Sequence, residues 1–316
     1  MAFHLRQGES VASEIRHIAR DQLDAAIQEL DDRHLDGDET VHQVRRRCKK
    51  LRALLRLIRP HLADRYDVEN AHFREAAGLL APFRDAHIRL VAYDALMDHY
   101  DGEIRRRTFA SIRRGLVHRG QAYGPGETEL ADRFAQIREQ MEAARARIDN
   151  WPIDAIGVQV WRQGFEDTYR RARKAMAVAY EDPTPECFHE WRKSVKYHAY
   201  QTRLLRPLWH DALGVRKEGG DALGDLLGSH HDIMVLRTTV TDEMNETGSR
   251  KTVGRLVDLI DRRRGELEGL ARPLGVRLFA EAPRRIGVRF TRYWDAWGEE
   301  QRCRSETPDG RHAASA

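Results

Sequence analysis

The feature that most constrains this chain is a stretch of sequence that occurs twice. Residues 38–60 read DETVHQVRRRCKKLRALLRLIRP, and residues 185–207 read PECFHEWRKSVKYHAYQTRLLRP. Their histidines, cations and final prolines align without a gap at an offset of 147 residues. A repeat at a fixed offset indicates two copies of one structural unit. The matched pairs are His42 with His189, Arg45 with Arg192, Arg46 with Lys193, Lys49 with Lys196, Arg56 with Arg203, Arg59 with Arg206 and Pro60 with Pro207.

Helical geometry places the cations of each copy on one side. At about 100° per residue, the five cations of the first copy fall within roughly a quarter-turn, beside a stripe of apolar side chains. Each copy therefore predicts a helix with one face in a core and the adjoining face basic; we call these the first and second motif helices. The cations form the first basic stripe (Arg45, Lys49, Arg52, Arg56 and Arg59) and the second basic stripe (Arg192, Lys196, Arg203 and Arg206).

The second motif helix departs from the first in two ways. Ala199 replaces one cation of the stripe. His198 and Thr202 replace two core leucines, so we expect this helix to be less well buried. Trp191 falls on its core face and is predicted to be a packing residue.

Local signals predict where the motif helices begin and end. Thr184 is a candidate N-cap with Pro185 in the first helical turn. Pro60 and Pro207 are predicted to stop the two helices, because proline has no backbone N–H and clashes with the preceding turn.

The rest of the chain also has helical apolar spacing, and no segment shows the alternation of a β-strand. A predicted helix break at Pro82 is matched by one at Gly228, and each is followed by an aspartate, Asp85 or Asp232. An aspartate after a break is either a helix cap or a carboxylate that orients a motif-helix side chain. We predict an all-α fold of two pseudo-twofold-related, four-helix-type bundles, residues 1–150 and 151–303, followed by a disordered tail at 304–316.

Composition restricts the class of protein further. No apolar run approaches the ~18 residues of a membrane span and no signal peptide is present, which predicts a cytoplasmic protein without membrane contact. The three cysteines lack metal-ligand spacing. The two motif stretches together carry nine net positive charges, whereas the whole chain has a net charge of +4. Such concentrated arginine and lysine indicate a track for a long, uniformly charged anion.

The paired motifs resemble those of a known family. The segments HQVRRRCKKLR and HEWRKSVK are similar to the signature helices of the CHAD family (conserved histidine α-helical domain), and LAPFRD and LGSHHD to its second motif. The resemblance covers about residues 8–300. It implies two four-helix bundles in pseudo-twofold relation and a basic groove that binds inorganic polyphosphate, without established catalysis or a cofactor. Ala199 and His231 depart from the family pattern and weaken the second half of the predicted site.

The resemblance also implies the residues of the site. We expect no catalytic residue, cofactor or metal, and as partners polyphosphate itself, with polyphosphate granules or polyphosphate-metabolising enzymes. The predicted supporting residues are Arg84, Asp85, His231, Asp232 and Tyr200. The predicted polyphosphate-binding residues are His42, Arg45, Arg46, Lys49, Lys50, Arg52, Arg56, His189, Arg192, Lys193, Lys196 and Arg203.

Two alternatives remain at this point. A metal-dependent phosphohydrolase would use His189, His230, His231 and Asp232, because imidazoles and carboxylates together hold divalent metals. The first copy has Arg84 where a ligand would be needed, and an arginine does not ligate metal. A nucleic-acid binder would use the same basic track, but Tyr200 is the aromatic residue that the sequence offers there for stacking on bases.

Overall fold

The computed structural model describes residues 3–6, 10–123, 126–153, 157–243 and 250–306, leaving out the side chains of residues 84–87, 119–123, 127, 243 and 304–306. Most of the described residues are helical, and no strand occurs in these ranges, which confirms the predicted all-α class. The predicted tail lies mostly outside the described residues. The helices are α1 (Val11–Asp31), α2 (Gly37–Leu57), α3 (Arg59–Leu62), α4 (Arg65–Leu79), α5 (Ala81–His99), α6 (Ala110–Tyr123), α7 (Glu127–Arg147), α8 (Gln159–Glu181), α9 (Pro185–Leu204), α10 (His210–Glu243), α11 (Arg250–Leu278) and α12 (Pro283–Glu306).

The motif helices are α2 and α9, and their first turns are capped in the same way. The Asp36 carboxylate accepts a hydrogen bond from the Glu39 N–H at 2.7 Å. The Thr184 hydroxyl accepts one from the Cys187 N–H at 3.2 Å, and Pro185 occupies the first turn, as predicted. Each side-chain oxygen satisfies an N–H that has no partner within the helix. Both helices end three residues before a proline, Pro60 or Pro207.

The predicted break at Gly228 is wrong. Helix α10 runs without interruption through this residue, whereas in the first half α4 ends before Leu80 and Pro82 lies in the first turn of α5. Proline cannot donate the backbone hydrogen bond that continues a helix, but glycine can. Asp232 is therefore inside α10 and does not cap a helix. The pseudo-twofold relation of the complete halves stays a prediction.

A shared hydrophobic core joins the two halves. Helix α2 packs on α1, α4 and α5, and also on α8 and α9 from the other side of the predicted boundary. The core contains Leu51 and Leu54 of α2 together with Phe165 of α8 and Val195 of α9. The Gln201 amide donates a hydrogen bond to the Ala53 carbonyl at 3.1 Å. The two motif helices are therefore held side by side near the middle of the molecule, although the boundary at residue 150 stays a prediction.

The second motif helix has fewer buried residues than the first, as expected, but not for the expected reason, because its two polar replacements are themselves buried. His198 and Thr202 are 2% and 1% exposed. The His198 ring lies 5.2 Å from that of Phe165 and 5.5 Å from that of Tyr169, and its Nε2 is 3.2 Å from an Arg216 nitrogen. Burial, helped by the charge of Arg216, holds the pKa of His198 well below its usual value. A neutral imidazole packs among aromatic rings as a hydrophobic residue does, and therefore substitutes for leucine here.

Within the described ranges, none of the helices combines the length and the apolar character needed to cross a membrane.

Candidate functional site

The first basic stripe lies against α4 and is held there by polar groups. An Arg45 guanidinium nitrogen donates to the Ala77 carbonyl at 2.5 Å. Arg52 and Arg56 both donate to the Asn70 side-chain oxygen, at 3.1 and 2.9 Å. Within the described residues, neither Arg52 nor Arg56 forms an ion pair with a carboxylate. Their side chains are consequently fixed by a neutral group that leaves the positive charge uncancelled.

Tyr197 of the second motif helix lies beneath the same two arginines. The guanidinium carbon of Arg56 is 4.0 Å from the centre of the Tyr197 ring, and that of Arg52 is 5.7 Å from it. These distances are within the range of cation–π attraction. Burial lowers the pKa of Arg56, which means that its charge is incompletely solvated and that a nearby anion would be favourable.

A cleft of about 160 Å³ opens between α2, α8 and α9 at this point. It contains four cations and one carboxylate. The carboxylate, Glu190, pairs with Lys193 through its Oε1. The charged lining residues are Arg52, Arg56, Arg171, Lys193 and Glu190. The cleft therefore brings cations from both copies of the repeat to one place with a net positive charge.

A second contact joins His189 of α9 to His231 of α10. Their Nδ1 atoms are 3.1 Å apart, and their ring centres are 4.4 Å apart. One Nδ1 must donate a hydrogen bond and the other must accept it, so at most one of the two rings is charged in this geometry. Burial, then His189, Arg192, His230 and Lys49, lower the pKa of His231 to about 4. Burial, then Lys193 and Arg192, lower that of His189. Because Lys49 belongs to the first copy, this contact also receives positive charge from both halves.

Close packing of α10 on α9 positions the second basic stripe. A Cβ atom at Gly224 would lie 2.9 Å from the Lys196 side chain, and one at Gly228 would lie 3.7 Å from Arg192 Nε. A Cβ at Gly220 would lie 3.4 Å from the Ala199 side chain. The close approach of Lys196 therefore depends on glycine at position 224, whereas a Cβ at Gly220 or Gly228 would make ordinary contacts. The ammonium group of Lys196 forms an ion pair with Asp225 at 2.9 Å.

Three other residues predicted for the site, Lys50, Tyr200 and Arg203, do not line the cleft between α2, α8 and α9. Lys50 is 5% exposed, and its ammonium group lies 3.3 Å from the Gln22 side-chain oxygen. Burial, followed by the charges of Arg47, Arg46 and Arg203, lowers the pKa of Lys50 to about 7. Burial raises the pKa of Tyr200, which packs edge-on against Phe3 at 6.2 Å. Arg203 lines a different cavity, at the end of α9.

The remaining predicted residues are placed as follows. His42 is exposed near the start of α2, and Asp232 is half-buried in α10. Arg46 donates to the Gln43 side chain. The side chains of Arg84 and Asp85 lie outside the described residues.

The four residues of the phosphohydrolase alternative do not all converge, because His230 points away from the contact between His189 and His231. His230 Nε2 lies 3.0 Å from Glu268, and its ring stacks on Phe188 at 4.5 Å, whereas His231 contacts His189. Over the described part of the chain, no group of three or more His, Cys, Asp or Glu side chains is arranged to hold a metal ion. A shared metal site at this end of α10 is therefore not assembled by these residues.

Comparison with known proteins identifies the family. The model of the CHAD domain matches residues 17–241. The chain belongs to the CHAD domain family. Its fold is similar to the crystal structure of the CHAD domain from the plant Ricinus communis, with a TM-score of 0.58 and 16% identity over 90% of this chain and 95% of that one. At this identity the likeness shows a common fold. A comparison with curated proteins gave no match.

Three residues of the candidate site were missed from the sequence. In the repeat, Tyr197 aligns with Lys50, which is not a residue of the first basic stripe. The alignment therefore did not indicate that Tyr197 lies at the site. Asn70 and Arg171 lie on α4 and α8, and nothing in the repeat connects them to the motif helices. The signal available for α10 was the spacing of Gly220, Gly224 and Gly228, which is typical of a close helix–helix contact and was interpreted only as a break.

Proposed function

We propose that this CHAD domain protein binds inorganic polyphosphate, without turning it over, in a basic groove lined by α2, α8, α9 and α10. The observation that carries the proposal is the pair Arg52 and Arg56, fixed by Asn70 and Tyr197 beside Arg171 and Lys193. Arginine is the side chain best matched to phosphate oxygens, which it binds through two parallel hydrogen bonds. Several fixed cations in a row suit a polymer whose charge repeats at every unit.

The pair His189 and His231 extends the proposed groove. Each neutral ring can still donate one N–H to a phosphate oxygen. A bound anion would favour the charged form of a ring that burial and neighbouring cations now keep neutral. In the proposal, the groove therefore runs from the arginine cleft past Lys49 and Arg192 to the histidine pair.

Binding without turnover fits the groups that line the cleft. Hydrolysis of a phosphoanhydride requires an activated water molecule, supplied by a general base or a bound metal. The one carboxylate among the lining residues, Glu190, is engaged by Lys193. The proposed role is accordingly to hold polyphosphate, at a polyphosphate granule or for an enzyme that acts on the polymer.

The aromatic residues favour polyphosphate over single-stranded nucleic acid at this groove. Binding of unpaired bases relies on ring faces on which the bases stack. Arg56 lies over the Tyr197 ring, and Tyr200 packs against Phe3. A base would have to displace these contacts, whereas a bare phosphate chain needs only the cations.

Titration of long-chain polyphosphate into Arg52→Gln/Arg56→Gln tests the proposal. Removing a charge-assisted hydrogen bond costs about 1.5–3 kcal/mol, less where water screens it, so we expect affinity to fall at least tenfold. The matched control is Arg113→Gln/Arg262→Gln, which removes the same charge from exposed arginines that pair with Asp94 and Glu103.

Two results would contradict the proposal. Equal losses of affinity in the two double variants would mean that net charge alone attracts the polymer. Shortening of the polyphosphate chain during incubation with wild-type protein and a divalent metal, seen on a gel, would show that the protein is an enzyme.

A further inference from the structure

A cavity of about 810 Å³ lies at the end of α9, away from the histidine pair. Its walls come from the N-terminal segment, the 3₁₀ turn Arg206–Leu208 and α12. The size is within the range of about 300–1,000 Å³ found for small-molecule sites. Of the proposed polyphosphate-binding residues, its lining contains Arg203 alone.

Aromatic rings are prominent in the lining of this cavity. Trp209 is 52% exposed, and its ring stands edge-on to that of Tyr293 at 5.0 Å. Trp297 also lines the cavity and packs against Trp294 at 5.5 Å. Three large rings around one opening form a surface on which a planar, partly polar group can stack.

Two arginines, Arg203 and Arg206, also line the cavity. Within the described residues, the side chains of Arg203 and Arg206 have no hydrogen bond or ion pair. The Nε atom of Arg206 is buried without a hydrogen-bond partner, and the guanidinium lies on the bare backbone of Gly214, where a Cβ would be 3.7 Å from Nε. Burial, and then neighbouring arginines that include these two, lower the pKa of His4, another lining residue. Two arginines without a carboxylate partner leave positive charge in the cavity wall, which an anion bound in the cavity would neutralise.

The first copy of the repeat provides an internal comparison. Arg56 and Arg59 occupy the positions that correspond to Arg203 and Arg206. Arg56 is held by Asn70 and Tyr197, and Arg59 lies over the Tyr66 ring at 4.5 Å. In the first copy the two arginines thus contact other side chains of the protein, whereas in the second copy they line a cavity.

We propose that this cavity binds a nucleoside phosphate, with the base stacked on Trp209 and the phosphates on Arg203 and Arg206. Gln301 and Glu300 lie on the rim and offer a donor and acceptors to the edge of a base. A polyphosphate chain has no group that would use the aromatic rings. The combination of stacking surface and arginine therefore distinguishes this site from the groove.

Isothermal titration with ATP, tripolyphosphate and adenosine tests the assignment on the full chain. ATP should bind at least tenfold more tightly than either of the other two, because only ATP has both a base for the rings and phosphates for the arginines. Trp209→Ala should weaken ATP binding about tenfold, since stacking of one base on an aromatic ring is typically worth about that much or more. The same variant should leave binding of long-chain polyphosphate unchanged. Arg206→Gln should weaken ATP binding more than Arg59→Gln, its counterpart in the first copy.

Three results would overturn the assignment. Equal affinity for ATP and tripolyphosphate would mean that the rings take no part. ATP binding unaffected by Trp209→Ala and by Trp297→Ala would place the nucleotide elsewhere. Oligoadenylate RNA binding tenfold more tightly than ATP would show that the site takes a strand and not a free nucleotide.

Discussion

At the scale of single residues, His231 shows how surroundings set the chemistry of a side chain. Its pKa in the folded protein is about 4, below the usual 6.5 of histidine, chiefly because of burial. At a pH between about 4 and 6.5, this histidine is more often protonated in the unfolded chain than in the folded one. Stability is therefore fully present above about pH 6.5 and is lost as pH falls towards 4.

We predict that His231→Gln makes stability less dependent on pH in this window. Glutamine is polar and cannot become charged, so the variant escapes the cost of burying an imidazolium. From pH 7 to pH 5, the wild-type free energy of unfolding should fall by on the order of 1 kcal/mol more than that of the variant, a figure reduced for solvent at a half-exposed ring. Urea denaturation at the two pH values measures this. His118→Gln, at an exposed histidine, is the control, and an equal pH dependence of wild type and His231→Gln would refute the explanation.

Bound polyphosphate should raise the pKa of His42, His189 and His231, because a nearby negative charge favours the imidazolium. By linkage, affinity should rise as pH falls from about 7 towards 5. His42→Gln keeps a neutral donor and should flatten this dependence while keeping much of the affinity at high pH. Histidine NMR signals, titrated with and without polyphosphate, report the midpoints. If polyphosphate does not move the titration midpoints of the histidines, these residues do not bind the polymer and the cations alone form the site.

Residue positions were predictable where helical periodicity alone decides them. Trp191 is fully buried, as its place on the wheel indicates. Lys50 is outside the stripe that periodicity defines and entered the binding set through the family resemblance; the structure places it where the Gln22 side chain and Phe3 enclose it. Tyr197 could not be predicted, because its role depends on how α9 crosses α2.

At the scale of helices, Gly164 of α8 fixes how closely α2 joins the second half. A Cβ at this position would lie 1.9 Å from the Leu57 carbonyl oxygen, a backbone atom that cannot move alone. The close approach holds the C-terminal end of the first motif helix against α8.

We predict that Gly164→Ala destabilises the protein by roughly 1–3 kcal/mol, because the helices must separate to admit the methyl group. Gly269→Ala is the matched control within α11, where nothing lies within 4 Å of the added Cβ. It should stabilise by roughly 0.5–1 kcal/mol through the lower entropy of the unfolded chain. Chemical denaturation of both variants gives the comparison. Stabilisation by both would mean that α2 and α8 are not in close contact.

Helix ends were predictable from caps and prolines, as at Thr184 and Pro207, because those signals act within one turn. Gly228 was misread because glycine has two uses in a helix. It weakens the helix, and it also leaves room beside the backbone for a neighbouring side chain, as at Gly224, where a Cβ would lie 2.9 Å from Lys196. The second use is decided by a partner helix that the local sequence does not contain.

At the scale of the whole molecule, the all-α class and the CHAD family followed from the repeat, since two gap-free copies constrain the fold more than any local pattern. The shared core did not follow. Repetition predicts two similar units but does not say whether α2 packs within its own half or across to α9. One core spanning both motif helices is what allows their cations to meet.

If both halves contribute to one groove, loss of charge in either should weaken the same binding event. Arg45→Ala/Lys49→Ala should cost more affinity than Arg192→Ala/Lys196→Ala, because the first stripe is fuller and Lys196 is shared with Asp225. We expect about 1.5–3 kcal/mol for each hydrogen bond to phosphate that a variant removes, reduced by solvent screening. Titration of each double variant with polyphosphate measures the difference. If each double variant still has one site with wild-type affinity for polyphosphate, the two halves bind independently, and this would contradict a common groove.

The most direct test of the central claim is the salt dependence of polyphosphate binding. Each phosphate neutralised by lysine or arginine releases condensed counterions, so the logarithm of affinity falls linearly with the logarithm of salt concentration. We predict a steep slope that reflects several neutralised phosphates, and weaker binding of single-stranded DNA of equal charge measured in parallel. If the affinity for polyphosphate does not change with salt concentration, the basic stripes are not the binding surface, and this result would contradict the account.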